Sequence, residues 1–327
     1  MDLRLLEERL AAHGEPSFRA RQVWEWTARG ADSYASMTNL PQELRDALAV
    51  EVPISSLEVE REAEASDGTR KALFRTGDAR PVEAVLMSYR DGRRSLCLSS
   101  QSGCPLTCTF CATGRMRFGR NLSSSEILDQ ALHFRRSGPV TNAVFMGMGE
   151  PLMNLDAAFA ACERLPDLGV AWSNTAVSTV GWLPGIERMA AEGPPVRLAL
   201  SLHAPEDALR SELMPVNERY PLRDVLDACL RWHERRRRQV FVEYLMLAGV
   251  NDRHEQALAL ARLLEPRRAF KVNLIPYNPT EAGFRGSSRQ AVSAFKDALE
   301  RAGVRTTIRL TRGRDIDAAC GQLAARA

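Results

Sequence analysis

Lysine is almost missing from this chain of 327 residues, in which only Lys71, Lys271 and Lys296 are lysines among 44 basic residues. The basic residues are balanced by 41 acidic residues, so the formal net charge of +3 does not identify a nucleic-acid partner. The predominance of arginine suits RNA contacts, because guanidinium groups pair with phosphate and stack on bases. Codon bias in a GC-rich genome would produce the same composition.

Long apolar runs are also missing, and no stretch approaches the roughly 18 apolar residues of a membrane span. The first 14 residues, MDLRLLEERLAAHG, contain acids and no apolar run that ends in small residues, so we expect no signal peptide and a cytoplasmic location. With 45% hydrophobic and 26% charged residues, the composition excludes collagen-like, disordered and membrane-spanning proteins.

Seven cysteines in a chain without a signal peptide predict thiols, metal ligands or catalytic groups rather than structural disulfides. Cys104, Cys108 and Cys111 place three soft ligands in one loop, which suits an iron–sulfur cluster or zinc. Structural zinc usually takes four ligands, and no second cysteine pair follows. Three cysteines on a four-iron cluster leave one iron open to a substrate or cofactor, which favours a catalytic site.

Hydrophobic periodicity divides the chain into three parts. Helical patterns fill residues 1–50, and short strands and turns fill residues 51–93. From residue 94 to residue 327, short β-branched runs alternate with amphipathic helical patterns, as in a parallel sheet with crossover helices. We therefore predict an α/β fold, a partial (βα)6 barrel with a small N-terminal helical accessory domain and a β-rich linker. A doubly wound sheet is less favoured, because no Gly-x-Gly-x-x-Gly follows the first strand.

Small or polar residues and the cysteine loop follow the predicted strands. In a β/α barrel the active site is built where parallel strands end. The sequence therefore predicts a single site that is assembled from several loops.

Six segments together resemble one known family: SSQSGCPLTCTFCATG, MGMGEPLMN, VSTVGWLP, LSLHAP, LIPYNP and TRGRDIDAACGQL. The TFC sequence at the third cysteine is similar to the radical S-adenosylmethionine superfamily. The whole set resembles the RlmN/Cfr family of radical S-adenosylmethionine RNA adenine methyltransferases. FRARQVWEWTARG and MTNLPQELRDAL resemble the accessory domain of the RlmN branch, and the resemblance extends from about residue 16 to residue 323.

The resemblance implies a cofactor site. Cys104, Cys108 and Cys111 would bind a 4Fe-4S cluster, and the amine and carboxylate of S-adenosylmethionine would chelate its open iron. The residues expected to contact S-adenosylmethionine are Gly149, Glu150, Ser178, Ser201, Leu202, His203 and Asn278. A carboxylate accepts hydrogen bonds from an ammonium group, and glycine allows close approach to the backbone. Val180 stands where some relatives have a second serine, so we assign only Ser178 there.

Three further residues take catalytic roles by the same resemblance. Cys320 would carry a methyl group as S-methylcysteine, and Cys97 would resolve the protein–RNA adduct through a transient disulfide with Cys320. Glu83 would accept a proton. Arg312 and Arg314 lie near Cys320 in the sequence and are expected to lower its pKa. Cys162 and Cys229 lie in amphipathic helical patterns and are expected to be core residues.

The implied reaction is methylation of adenine C2 in 23S rRNA, at the peptidyl transferase centre, and in tRNA 3′ to the anticodon. C2 has no nucleophilic lone pair, so a 5′-deoxyadenosyl radical and a methylcysteine intermediate replace simple displacement. Two S-adenosylmethionine molecules per turnover and an electron donor such as a flavodoxin system are expected. A Cfr-like C8 methyltransferase and a non-catalytic zinc or redox protein remain alternatives.

Arginines next to an aromatic residue predict the RNA contacts. They follow the cysteine loop as Arg115, Arg117 and Arg120 around Phe118. Arg19, Arg21 and Arg29 make the N-terminal helical domain a better RNA-binding candidate than the arginine run at residues 235–238. The run from 235 to 238 is expected to be an exposed helix end.

Overall fold

Three helices with a small core of their own begin the fold. In the computed structural model, which describes residues 1–324, Asp2 accepts hydrogen bonds from the N–H groups of Arg4 and Leu5 at the start of the first helix. Gly30, with φ of 107°, ends the second helix in the left-handed conformation that glycine adopts readily. The three helices are α1 (Leu3–Ala12), α2 (Phe18–Arg29) and α3 (Gln42–Glu51).

A ten-stranded sheet forms the main body of the structure. Its first three strands are antiparallel to their neighbours, and the next seven are parallel. In chain order these strands are β1 (Leu57–Glu64), β2 (Arg70–Thr76), β3 (Pro81–Ser88), β4 (Arg94–Cys97), β7 (Asn142–Phe145), β8 (Thr175–Thr179), β9 (Arg197–Ser201), β10 (Val240–Met246), β11 (Phe270–Pro276) and β12 (Thr306–Ile308). The two remaining strands, β5 (Gln101–Ser102) and β6 (Arg120–Asn121), pair with each other beside the cysteine loop.

Six crossovers, each containing at least one helix, connect the seven parallel strands. Their helices are α4 (Ser124–Arg135), α5 (Leu155–Arg164), α6 (Leu183–Ala191), α7 (Asp207–Leu213), α8 (Leu222–Arg236), α9 (His254–Leu263) and α10 (Arg289–Arg301). Sequential strand order with a helix in each crossover confirms the predicted α/β architecture of a partial barrel. In the described part of the chain, no helix has the length and apolarity needed to cross a membrane.

The antiparallel strands extend the parallel sheet. Leu86 of β3 pairs with Leu96 of β4, and a turn at Gly92, with φ of 86°, joins the two strands. Residues 57–88 thus belong to the same sheet as the strands that form the site.

The N-terminal helices pack against the outside of the barrel. The indole nitrogen of Trp24 donates to Asp167 Oδ2 over 2.7 Å, and Trp24 and Ala28 contribute to the main hydrophobic core. Most of the other apolar residues of these helices pack around Leu6 and Leu48 in the separate small core. Trp24 thus anchors the N-terminal helices to the segment that follows α5.

Candidate active site

One cavity at the carboxyl ends of the parallel strands collects most of the predicted site residues. It is lined by Cys97, Cys104, Cys108, Cys111, Gly149, Glu150, Ser178, Ser201, His203, Asn278 and Cys320. Two predicted residues, Glu83 and Leu202, do not line it. These side chains come from loops far apart in the sequence, so the sheet topology brings them together.

The cysteine loop folds tightly over this cavity. The N–H of Cys111 donates to the Cys108 carbonyl over 3.1 Å, and the N–H of Ala112 donates to the Gly321 carbonyl over 2.9 Å. A Cβ at Gly114 would lie 2.9 Å from the Cys108 carbonyl oxygen, so this position requires glycine. The loop therefore contacts the segment that carries Cys320 directly.

The three cysteines of the loop are partly buried, with free thiols. Burial raises the pKa of Cys104 to about 12 and that of Cys108 well above its ordinary value, and the neighbouring thiols add to both shifts. Thiolates at these positions thus need an electropositive centre, which an iron–sulfur cluster provides. Among the described residues no group of three or more His, Cys, Asp or Glu is arranged to hold a single metal ion. Structural zinc usually takes four ligands, whereas three thiols on a four-iron cluster leave one iron open, so the donor set of the loop fits a cluster.

Glu150 is a buried carboxylate held by backbone N–H groups. It accepts hydrogen bonds from Leu152 over 3.1 Å and from Val180 over 3.0 Å. Burial raises its pKa to about 7. A Cβ at Gly149, where φ is 93°, would lie 2.5 Å from Gln101, so only glycine fits. This geometry suits a carboxylate that receives an ammonium group from a ligand.

The ends of β8 and β9 place polar groups side by side. The hydroxyl oxygens of Ser178 and Ser201 are 3.4 Å apart. His203 has a φ of 61°, and its Nδ1 accepts the N–H of Leu245 over 3.1 Å. Burial and the charge of Arg210 lower the pKa of His203 to about 3, so its ring is neutral and Nδ1 is an acceptor. The side chain of Leu202 lies in the main hydrophobic core.

Arg210 on α7 is a structural residue that the sequence analysis missed. Its side chain is completely buried and donates to the carbonyls of Val180, Ser201 and Leu202, and to Asn217 Oδ1 over 2.7 Å. It thereby ties together the loops that follow β8 and β9. An arginine in the short segment DALRSEL has the pattern of an exposed helical residue, so the sequence contained no signal for this role.

Cys97 and Cys320 line the same cavity, although Cys97 lies near the start and Cys320 near the end of the barrel domain in the sequence. Cys97 ends β4, between Val85 of β3 and Val144 of β7. Burial raises the pKa of Cys97 to about 12, and the nearby Cys320 thiol adds to the shift. Burial also raises the pKa of Cys320, whereas the charge of Arg309 opposes the increase.

The expectation that Arg312 and Arg314 lower the pKa of Cys320 is wrong. Arg312 forms an ion pair with Asp67 at 3.7 Å, and Arg314 Nε donates to Asn278 Oδ1 over 3.0 Å. The cation that acts on Cys320 is Arg309, and burial outweighs its effect. Arg312 and Arg314 are near Cys320 in the sequence, but the chain turns at Gly313, where φ is 66°, and their side chains bond other residues.

Glu243 and Arg309 both line the cavity, and each shifts the pKa of the other; the sequence patterns had not predicted either residue there. Glu243 on β10 is buried and accepts a hydrogen bond from Asn273 over 2.8 Å. Arg309 follows β12 and donates to the Met146 sulfur over 3.3 Å. The signal in the sequence was a glutamate inside the apolar run VFVEYLML, where a charge needs a buried partner.

Glu83 lies behind the Cys320 segment and lines a second cavity beside the first. Its carboxylate is 2.9 Å from Lys71 Nζ and accepts the N–H of Ala324 over 2.9 Å. In this structure Glu83 thus contacts the C-terminal segment instead of the cofactor cavity.

The remaining cysteines and arginines separate into structural and exposed groups. Cys162 and Cys229 are fully buried in α5 and α8, as predicted for core residues. Arg120 pairs with both Asp78 and Glu126, so its charge is already neutralised. The other predicted RNA-contact residues in this loop include Arg117 and Phe118, which are both exposed. Arg235 to Arg238 form the predicted helix end, with Arg237 in the left-handed conformation.

Comparisons with known proteins agree with this site. A family model described as "Radical SAM superfamily" matches residues 98–261, and a model described as "Ribosomal RNA large subunit methyltransferase N-terminal domain" matches residues 1–54. The chain is 45% identical to a protein of Moorella thermoacetica named "Probable dual-specificity RNA methyltransferase RlmN", over 97% of this chain and 94% of the relative. A protein of the same name from Chloroflexus aurantiacus is 47% identical over 98% of this chain and 90% of the relative.

Among solved structures, a radical SAM methyltransferase from Sphaerobacter thermophilus superposes with a TM-score of 0.93 at 44% identity, covering 100% of this chain and 98% of that one. The superfamily implies a 4Fe-4S cluster and S-adenosylmethionine as cofactors. Two cysteines and a three-cysteine loop in one cavity, together with these matches, show that the chain belongs to the RlmN family of radical S-adenosylmethionine RNA methyltransferases.

Proposed function

We propose that this enzyme methylates C2 of adenine in 23S rRNA, at the peptidyl transferase centre, and in tRNA at the adenine 3′ to the anticodon. The observation that carries the proposal is that Cys97 and Cys320 line one cavity with the three-cysteine loop. The relatives' name, which specifies dual RNA specificity, supports two classes of RNA substrate. We place the reaction in the cytoplasm.

Each part of the cavity has a proposed task. Cys104, Cys108 and Cys111 hold the cluster. The proposed contacts of S-adenosylmethionine are Gly149, Glu150, Ser178, Ser201, Leu202, His203 and Asn278. When bound, these cofactors supply a methyl group and, with an electron from a donor such as a flavodoxin system, an organic radical. Two S-adenosylmethionine molecules are consumed per turnover, one for each of these tasks.

The chain's own thiols carry the carbon between cofactor and RNA. The Cys320 sulfur must be a thiolate to accept a methyl group, and Arg309 is the cation that favours the thiolate in this cavity. After the adduct with adenine forms, the Cys97 sulfur attacks the Cys320 sulfur. A disulfide forms as the sulfur–carbon bond breaks, and its electron pair remains on the methylene carbon, which takes up a proton.

The family resemblance is the support for proposing that Glu83 removes the proton from C2, since its carboxylate does not line the cofactor cavity in this structure. Its carboxylate lies behind the Cys320 segment and accepts the N–H of Ala324 over 2.9 Å. Residues 1–50 are proposed to form the RNA-binding accessory domain, with residues 51–93 leading into the barrel domain of 94–327. The match of residues 1–54 to an rRNA methyltransferase N-terminal domain supports this division.

The decisive experiment is mass spectrometry of RNA after reaction with the anaerobically reconstituted enzyme. We expect 2-methyladenosine in both 23S rRNA and tRNA. Appearance of 8-methyladenosine alone would favour the Cfr-like reaction. Zinc without iron or sulfide in protein purified without oxygen would favour the non-catalytic metal-binding alternative.

A further inference from the structure

Lys71 is unusual in a chain that contains three lysines among 44 basic residues. Its side chain is 14% exposed and its ammonium group contacts a carboxylate that is 1% exposed, that of Glu83. Lys296, by comparison, forms an exposed pair with Glu300 one helical turn away. Lys71 is therefore a largely buried lysine paired with a buried carboxylate, whereas Lys296 has the environment of an ordinary surface lysine.

The ammonium group of Lys71 bridges β3 and the segment that carries Cys320. Its Nζ is 2.9 Å from Glu83 Oε1 and donates to the Asp317 carbonyl over 3.2 Å. The second carboxylate oxygen of Glu83 accepts the N–H of Ala324 over 2.9 Å. Lys71 and Glu83 together hold residues 317 and 324, which flank Cys320 on both sides.

The segment needs such anchors because it contains little regular structure. Between β12 and residue 324 it has a single short 3-10 helix, Arg314–Ile316. Asp317 adopts a left-handed conformation with φ of 51°, which is uncommon for a residue other than glycine. In this conformation the Asp317 carbonyl points away from the helical path, and it accepts its hydrogen bond from Lys71.

Residues from the loop after β11 and from the cysteine loop also hold the segment that carries Cys320. Asn278 donates to the Cys320 carbonyl over 3.2 Å, and Gln322 donates to the Pro279 carbonyl over 2.9 Å. Thr113, from the cysteine loop, donates to the Leu323 carbonyl over 2.6 Å. These side-chain contacts, together with the N–H of Ala112 on the Gly321 carbonyl, hold the segment around the Cys320 thiol, and Lys71 is the one charged donor among them.

We propose that Lys71 is a positioning residue that seats the Cys320 segment, through Glu83 and the Asp317 carbonyl, so that the Cys320 thiol faces the cofactor cavity. The catalytic consequence rests on the proposed function, but the seating itself does not. A lysine suits this position because its three donors on a compact head can serve a carboxylate and a carbonyl together. The role also gives Glu83 an anchoring task besides proton transfer.

The test compares Lys71→Met, Lys71→Arg and the control Lys296→Met in the reconstituted enzyme. Amide hydrogen exchange of residues 313–324 is measured together with the rate at which S-adenosylmethionine methylates Cys320. We expect Lys71→Met to accelerate exchange in this segment at least tenfold and to slow Cys320 methylation at least tenfold. Iron content and exchange in α8 should be unchanged. Lys71→Arg should recover part of both effects, and Lys296→Met should match the parent enzyme.

Wild-type exchange in residues 313–324 of Lys71→Met would overturn the proposal. If that variant does not fold, Glu83→Gln decides, because it keeps an acceptor for Ala324 and removes the charge that Lys71 requires. Faster exchange confined to the segment supports seating, and parental exchange overturns it. Because exchange is measured without RNA, a failure to methylate adenine in every variant would count against the proposed function alone.

Discussion

Asn278 donates its side-chain amide to the backbone carbonyl of Cys320 over 3.2 Å. The amide oxygen accepts from Arg314 over 3.0 Å, so the orientation of the amide is set from both sides. A residue expected to contact S-adenosylmethionine thus also holds the backbone of the cysteine that would receive its methyl group. With the proposed roles of Asn278 and Cys320, this contact would link cofactor binding to the placement of the acceptor thiol.

Removing the donor of Asn278 should slow methylation of Cys320. Loss of a buried hydrogen bond costs about 1–2 kcal/mol, which corresponds to roughly tenfold in rate if it is present only in the reactive arrangement. Asn278→Asp should be slower than Asn278→Ala, because it places a second acceptor against the Cys320 carbonyl. Mass analysis of Cys320 after a single turnover measures both. Parental rates in the two variants would contradict the link.

The cysteine loop should lose its cluster when any one of its thiols is removed. Cys108→Ala leaves two thiols for a site that has no spare ligand in the loop, so iron, sulfide and RNA methylation should all be lost. Cys162→Ala is the matched control, since Cys162 is fully buried in α5 away from the cavity. Iron and sulfide analysis of both proteins is the measurement. Full iron content in Cys108→Ala would show that the ligands are wrongly assigned.

Replacement of Cys97 and replacement of Cys320 should give different covalent products. Cys97→Ala can still be methylated at Cys320 and can still form the adduct, but nothing resolves it. It should therefore copurify with nuclease-sensitive RNA on a denaturing gel. Cys320→Ala has no methyl acceptor and should carry no RNA. Normal turnover by Cys97→Ala, or an adduct on Cys320→Ala, would reverse or remove the assigned roles.

Arg117 should contribute to RNA affinity without affecting the cluster. It is exposed beside Phe118 after the cysteine loop, whereas Arg120 is neutralised by Asp78 and Glu126. Replacing Arg117 by alanine should lower the slope of log affinity against log salt by about 0.7–0.9, the value for one phosphate contact. Arg223→Ala, on the exposed face of α8, should leave the slope unchanged. Equal slopes in both variants would exclude Arg117 from the RNA interface.

His203 should make the protein less stable in mild acid. Its folded pKa of about 3 lies below the ordinary value near 6.5, so folding favours the neutral ring. This contribution is complete above pH 6.5 and is lost as the pH falls towards 3. Between pH 7 and pH 5 it should decrease by about 2 kcal/mol.

The control for His203 is asparagine, which tolerates a positive φ and carries no titratable group. Denaturant unfolding at pH 7 and pH 5 gives the free energies. The difference in the free energy of unfolding between the parent protein and His203→Asn should be smaller at pH 5 than at pH 7. A constant difference would show that His203 does not titrate as described.

The strands and helices of the barrel could be predicted because each has a local hydrophobic period. The run VFVEYLML at residues 240–247 contains β10, and residues 288–303 contain α10. The cysteine loop could also be recognised from the sequence, since three cysteines lie within eight consecutive residues. Chemistry that is contiguous in the chain leaves a signal in the sequence.

Contacts between distant segments were decided only by the tertiary structure. Arg309, rather than Arg312 or Arg314, acts on Cys320, because the chain turns at Gly313 and redirects the later arginines. Glu83 contacts Lys71 and Ala324 because β3 passes behind the C-terminal segment. The sequence by itself determined which elements form and which chemical groups are available. Strand order and long-range packing decided which groups meet, because electrostatic and hydrogen-bond energies depend on distance in space rather than on separation along the chain.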